Sequence, residues 1–209
     1  MAAFTRAQLA AFRGAEVPDL IGPGLRLLFV GINPGLWTAA VQTHFAHPVN
    51  RFYPALYAGG VITSRIDPSD GMSAQDRADF VARGLGITNL VRRATARADE
   101  LDAAELRAGG AALVELVDRL RPRVVAIAGI TAYRAAFARR TARAGAQTDL
   151  PTGWPEGVDL WVVPNPSGLN AHETVASLAL AYAEAAVAAG INLDRPTDHG
   201  RPAEPAAGH

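Results

Sequence analysis

A chain of 209 residues, 49% of them hydrophobic, can bury the core of one domain, and its formal net charge of zero gives no sign of a dedicated polyanion binder. Cysteine and lysine are both absent, which excludes disulfides, thiolate nucleophiles, iron–sulfur clusters, thiolate zinc sites, a P-loop and any side-chain amine able to form a Schiff base. No apolar run reaches the roughly 18 residues of a membrane span and residues 1–6 lack the charged and then apolar pattern of a secretion signal, so the expected location is the cytoplasm, with activity at the nucleoid in a bacterial cell.

The first predicted element is a buried strand at 25–32, an apolar run that includes Leu27, Leu28, Phe29 and Val30 and runs into Gly31. Arginines then gather at Arg92, Arg93 and Arg97, and again at Arg134, Arg139, Arg140 and Arg143, while acids concentrate in 67–79 and 99–118. Each arginine cluster reads either as a local basic face of modest, salt-sensitive affinity or as a solvated helix surface. A helix is predicted over residues 103–120, with Leu106, Leu113, Val114, Leu116, Val117 and Leu120 mostly on one stripe and Pro122 closing it. At its start Asp102 and Glu105 have the spacing of a capping box. A β-branched strand follows at 124–129, a helix at 131–143, a third strand at 160–164 and a helix at 173–189, with Gly190 as its stop.

From residue 194 the chain is polar and rich in proline and glycine, so 194–209 is expected to be a disordered tail on a folded unit of 1–193. Strands alternating with helices predict an α/β fold, a single-domain three-layer sandwich whose mostly parallel central sheet is flanked by helices.

In such sheets ligands sit beyond the carboxyl ends of the strands. The first and third strands end in Gly31-Ile32-Asn33-Pro34-Gly35 and in Pro164-Asn165-Pro166-Ser167-Gly168-Leu169-Asn170, so both loops should face one side. Glycine and proline permit a close backbone approach to a ligand, and Asn33 offers one acceptor and two donors. Alone, the first loop reads equally as a strand-end turn with a local asparagine bond.

The two loops together resemble the signature motifs of the mismatch-specific uracil-DNA glycosylase and thymine-DNA glycosylase family. The likeness continues in the same order through residues 45–53, 86–91 and 105–110, and spans about 25–185. A more active uracil-specific branch carries Gly-Gln-Asp-Pro-Tyr in the first motif and a histidine in the second, where this chain has Asn33 and Asn165. The iron–sulfur branch needs cysteines, and strand-cutting glycosylases use a lysine amine; the composition therefore points to a monofunctional enzyme without metal or cofactor.

The resemblance implies base flipping, in which the target nucleotide rotates out of duplex DNA. Leu169 would fill the vacated stack, with Gly168 and Asn170 against the widowed base. Arg92 and Arg93 would contact DNA. Phe45 would stack on the extruded pyrimidine, and Gly31, Ile32, Thr38, Asn89, Asn165 and Ser167 would form the base pocket. Leu169 and Phe45 also read as ordinary packing residues. Asn33 would orient the attacking water, but an amide cannot take a proton as a carboxylate does, which implies a slow enzyme that works by positioning. Asp99, just outside the capping box, either assists as base or stabiliser of a cationic sugar, or is a solvated aspartate paired with Arg97.

Two departures bear on specificity: bulky Trp37 stands beside the first motif, and Ala171-His172 replace the basic residue expected after Asn170. The five histidines lack metal-ligand spacing, and His47 reads as structural. The expected partner is double-stranded DNA carrying a mismatched or damaged pyrimidine, bound by a monomer without membrane association. Two further readings remain: a nucleoside or nucleotide hydrolase, for which Leu169 and the arginines are superfluous, and a non-catalytic lesion-binding module.

Overall fold

The computed structural model describes residues 4–194, and the predicted tail lies almost wholly outside them. Five strands form one sheet in the order β2-β1-β3-β5-β4: β1 (Leu27–Gly31), β2 (Leu85–Asn89), β3 (Val124–Ala128), β4 (Gly145–Ala146) and β5 (Asp159–Val163). Strands β2, β1, β3 and β5 run parallel, and the short β4 closes the edge antiparallel to β5. The fold is therefore the single three-layer α/β sandwich expected.

Strand β1 is buried along its whole length because helices cover both faces of the sheet. Side chains alternate across a strand, so its residues divide between two cores. Leu27 and Phe29 join Phe52, Tyr53 and Tyr182 on the side of α3 (Phe52–Ala58) and α7 (Val175–Ala188). Leu28 and Val30 join Leu113, Val117 and Tyr133 on the side of α5 (Ala103–Leu120) and α6 (Ile130–Phe137). Burying one such side chain stabilises by roughly 1.5–3 kcal/mol, so these two layers hold the sheet in place.

Helix α5 has the predicted bounds, and Asp102 and Glu105 form its capping box. Helix α7 begins after Thr174, whose side chain caps it, and Gly190 follows its end at φ +73°. Other elements differ from the sequence reading. Helix α6 stops at Phe137 rather than at 143, because Ala138 turns left-handed and the Arg134 guanidinium binds the Ala142 carbonyl, folding the chain back. Since α6 runs back along the sheet from the end of β3, Arg139, Arg140 and Arg143 follow its far end, away from the strand-end loops. Strand β2 was not predicted from periodicity, since Gly86 interrupts a short apolar run; a Cβ there would come within 2.6 Å of the Leu25 side chain and 3.2 Å of the Leu20 carbonyl. The short helices α1 (Arg6–Ala10), α2 (Leu36–Val41) and α4 (Ala74–Ala82) also lacked a clear sequence pattern.

Candidate active site

The carboxyl ends of β1, β2, β3 and β5 converge on a cavity of about 310 Å³. Its wall takes Ile32, Asn33, Thr38, Phe45, Asn89, Asn165, Ser167, Gly168 and Leu169 from the predicted set, and adds His44, His47, Thr95 and Arg97. A second cavity of about 420 Å³, between α3 and the loop carrying Arg65 and Asp67, includes none of the strand-end motifs.

Asn33 is held by its amide nitrogen, which donates to Thr95 Oγ1 at 2.7 Å, to the Arg93 carbonyl at 3.1 Å and to the Pro34 carbonyl at 3.2 Å. Its Oδ1 accepts no hydrogen bond among the described residues. The anchoring segment is itself tied down. Arg93 binds the Glu105 carboxylate at 2.8 Å and the Glu100 carbonyl at 3.2 Å, so the cap of α5 also fixes the carbonyl that holds Asn33. The Arg93 hydrogen bond leads the effects that lower the Glu105 pKa to about 2.

Gly31 itself does not line the cavity but packs beneath two residues that do. A Cβ at that position would lie 2.4 Å from Asn89 Oδ1 and 3.3 Å from Phe45 Cζ, so only glycine lets both side chains close over it. Phe45 is a non-glycine residue at φ +55°, and its ring stacks on Phe52 with centroids 4.1 Å apart. Its N–H has no acceptor among the described residues. Asn89 donates to His44 Nδ1 at 3.1 Å. Thr38 is buried on the wall, whereas Trp37 donates to the Ser69 carbonyl at 3.0 Å and does not line the cavity.

The second loop is shaped from within. Asn165 Oδ1 accepts from the Ser167 N–H at 3.0 Å, and Ser167 Oγ from the Leu169 N–H at 3.3 Å. Arg51 buckles the loop to the start of α3, its guanidinium donating to the carbonyls of Ser167, Asn170 and Glu173. Gly168 packs so tightly on Val49 that a Cβ would come within 2.8 Å of its carbonyl oxygen. At the tip Leu169 is 88% exposed, with Val49 60% exposed next to this loop. An apolar side chain displayed on a braced polar loop is not core packing.

Asp99, Arg92, Arg93 and Asn170 do not line the cavity. Asp99 is absent from the cavity wall; it lies exposed on a single 3-10 turn and pairs with Arg97 at 2.8 Å. No carboxylate lines the cavity among the described residues. Arg92 pairs with Glu16 and Asp19, Arg93 with Glu105 and Arg97 with Asp99, and of these three only Arg97 lines the cavity. Asn170 spends its amide on the Asn165 carbonyl at 3.1 Å and its Oδ1 on the His172 N–H. His47, read as structural, stands on the wall, and burial lowers its pKa. Sequence patterning missed Thr95, His44 and Arg51 as site residues because each acts through neighbours remote in the chain.

The Uracil DNA glycosylase superfamily profile matches residues 18–186. The chain belongs to this superfamily. The assignment brings DNA glycosylase chemistry, hydrolysis of an N-glycosidic bond in DNA. A solution NMR structure from Methanosarcina acetivorans, provisionally named a uracil DNA glycosylase, shares the fold at a TM-score of 0.52 and 14% identity, covering 83% of this chain and 96% of that one. The exposed Leu169 stands on the lining of the strand-end cavity.

Proposed function

We propose that this chain is a monofunctional, mismatch-directed uracil-DNA glycosylase that works as a monomer in the cytoplasm. It flips uracil from duplex DNA, especially from U·G pairs, and leaves an abasic site without cutting the strand. The observation that carries this is the Asn33 amide on the cavity wall, anchored through its nitrogen with an oxygen that accepts no hydrogen bond among the described residues.

In the proposed reaction the base stacks against Phe45 while Leu169 occupies the gap in the duplex. The C1′–N1 bond breaks with its electron pair remaining on uracil N1. Backbone N–H groups such as that of Phe45 suit the departing anion, since they stabilise charge that grows in the transition state. The water held by Asn33 bonds to C1′, and its proton passes to solvent or to the departing base. Because Asn33 cannot accept that proton, acceleration comes from placement of the water rather than from general base catalysis.

The absence of a cavity carboxylate among the described residues favours one second reading, a lesion-binding module without turnover. One assay separates the two. Labelled duplexes carrying U·G, T·G and U·A, together with single-stranded uracil DNA, are incubated with the protein and then treated with alkali. Cuts that need alkali and are strongest for U·G support the proposal. Cuts without alkali overturn the monofunctional assignment, and binding with no cuts under any condition supports the binding module.

A further inference from the structure

We infer that His44 determines which pyrimidine edge the cavity accepts, by fixing the polarity of the Asn89 amide. The inference rests on the glycosylase reading above.

The buried His44 ring is bonded at both nitrogens. Nε2 lies 2.9 Å from the Pro18 carbonyl oxygen, and a carbonyl only accepts, so Nε2 carries the proton. Nδ1 lies 3.1 Å from Asn89 Nδ2, and an amide nitrogen only donates, so Nδ1 is bare. The two contacts together require the neutral ring with its proton on Nε2. Asn89 therefore cannot exchange its amide ends without setting its oxygen against the bare Nδ1, lone pair against lone pair in a buried place. Its Oδ1 is kept over Gly31 beside the Phe45 ring edge, and among the described residues it accepts no hydrogen bond.

An acceptor there, with the second amide N–H beside it, complements the donating N3–H and accepting O4 of uracil. Cytosine presents a bare N3 and a donating amino group, which oppose the same pair. Admitting cytosine requires the amide to turn over, and that needs a proton on Nδ1. Burial disfavours the charged ring, and the nearby Arg77 and Arg92 guanidiniums act in the same direction. The Pro18 carbonyl and Asp19 oppose them without outweighing burial. The chain of contacts from Pro18 through His44 to Asn89 thus converts a backbone carbonyl into a choice of base.

The test compares the full-length protein with His44→Leu, which removes the acceptor, and His44→Asn, whose Oδ1 can replace Nδ1. Nitrogen-15 spectra of the histidine side chains should show His44 as the neutral Nε2–H form near neutral pH. Single-turnover excision of uracil should fall about tenfold or more in His44→Leu. Inhibition by free cytosine should gain on inhibition by free uracil, and His44→Asn should restore most of both. A ring protonated on Nδ1, or an unchanged uracil-to-cytosine preference in a cooperatively melting His44→Leu protein, overturns the inference. Wild-type protein that excises no uracil overturns the glycosylase reading instead; the ring spectra and direct binding of the two free bases then decide the role of His44.

Discussion

Thr95 accepts the Asn33 amide at 2.7 Å while donating its only proton to the Arg97 carbonyl, also at 2.7 Å. Because that hydroxyl proton is committed, Thr95 can meet Asn33 only as an acceptor, which leaves the Asn33 oxygen as the unbonded end of the amide. The orientation of Asn33, on which the proposed placement of water depends, is thus set by Thr95.

Replacing Thr95 by valine keeps the volume and removes the acceptor. The expected result is a loss of about 10- to 100-fold in single-turnover excision, equivalent to about 1.4–2.7 kcal/mol, with little change in DNA affinity. Equal losses in rate and in binding would instead mean that the loop has collapsed.

Asp99 is paired with Arg97 and lies outside the cavity wall. Asp99→Ala is therefore expected to excise within about threefold of wild type, whereas Asn33→Ala should lose about a hundredfold or more. A large defect in Asp99→Ala would show that DNA binding carries the 3-10 turn into the site.

Leu169 is 88% exposed, so Leu169→Ala should change the urea midpoint very little, by less than about 0.5 kcal/mol in stability. Its cost should appear in the flipped state. Excision from U·G duplex is expected to drop at least about tenfold, while excision from single-stranded DNA, where no stack needs filling, stays nearly constant.

Gly31→Ala would place a methyl carbon 2.4 Å from Asn89 Oδ1. The folded core should tolerate this with a loss of about 1–3 kcal/mol, the usual cost of overpacking, because Asn89 can be displaced into the cavity. Excision should fall well beyond that stability change, as a melting curve run beside the assay would show.

Protonation gives a further check. Burial holds His44 below its ordinary value of 6.5. Between its folded value and 6.5 the unfolded chain binds a proton that the folded chain does not, so stability present above 6.5 is lost as the pH falls through this window. The urea midpoint should therefore decrease from about pH 7 to about pH 5. The decrease should be shallower in His44→Leu; His47, also held low by burial, contributes in the same direction and remains in both proteins.

The bounds of α5, the burial of β1, β3 and β5, and the convergence of the loops at 31–35 and 165–170 were legible because each follows from local chemistry: an apolar period, a capping pair, a strand run ended by glycine or proline. The absence of cysteine and lysine likewise removed whole classes of mechanism before any fold was known. Strand β2 escaped notice because Gly86 is there to admit the crossing chain at Leu20, a contact made from 66 residues away as numbered and invisible to periodicity.

The opening motif shows the division most clearly. The sequence by itself determined that Asn33 stands at a strand end beside glycines, that an amide can place water but take no proton, and that no side-chain amine can form a Schiff base with a sugar. Only the tertiary structure decided which end of each amide is hydrogen-bonded and which is left unbonded. Thr95 and the Arg93 carbonyl turn Asn33, His44 turns Asn89, and pairing with Arg97 keeps Asp99 outside. Hydrogen-bond polarity is set by whichever donor or acceptor folding brings within about 3 Å, and sequence distance carries no information about that.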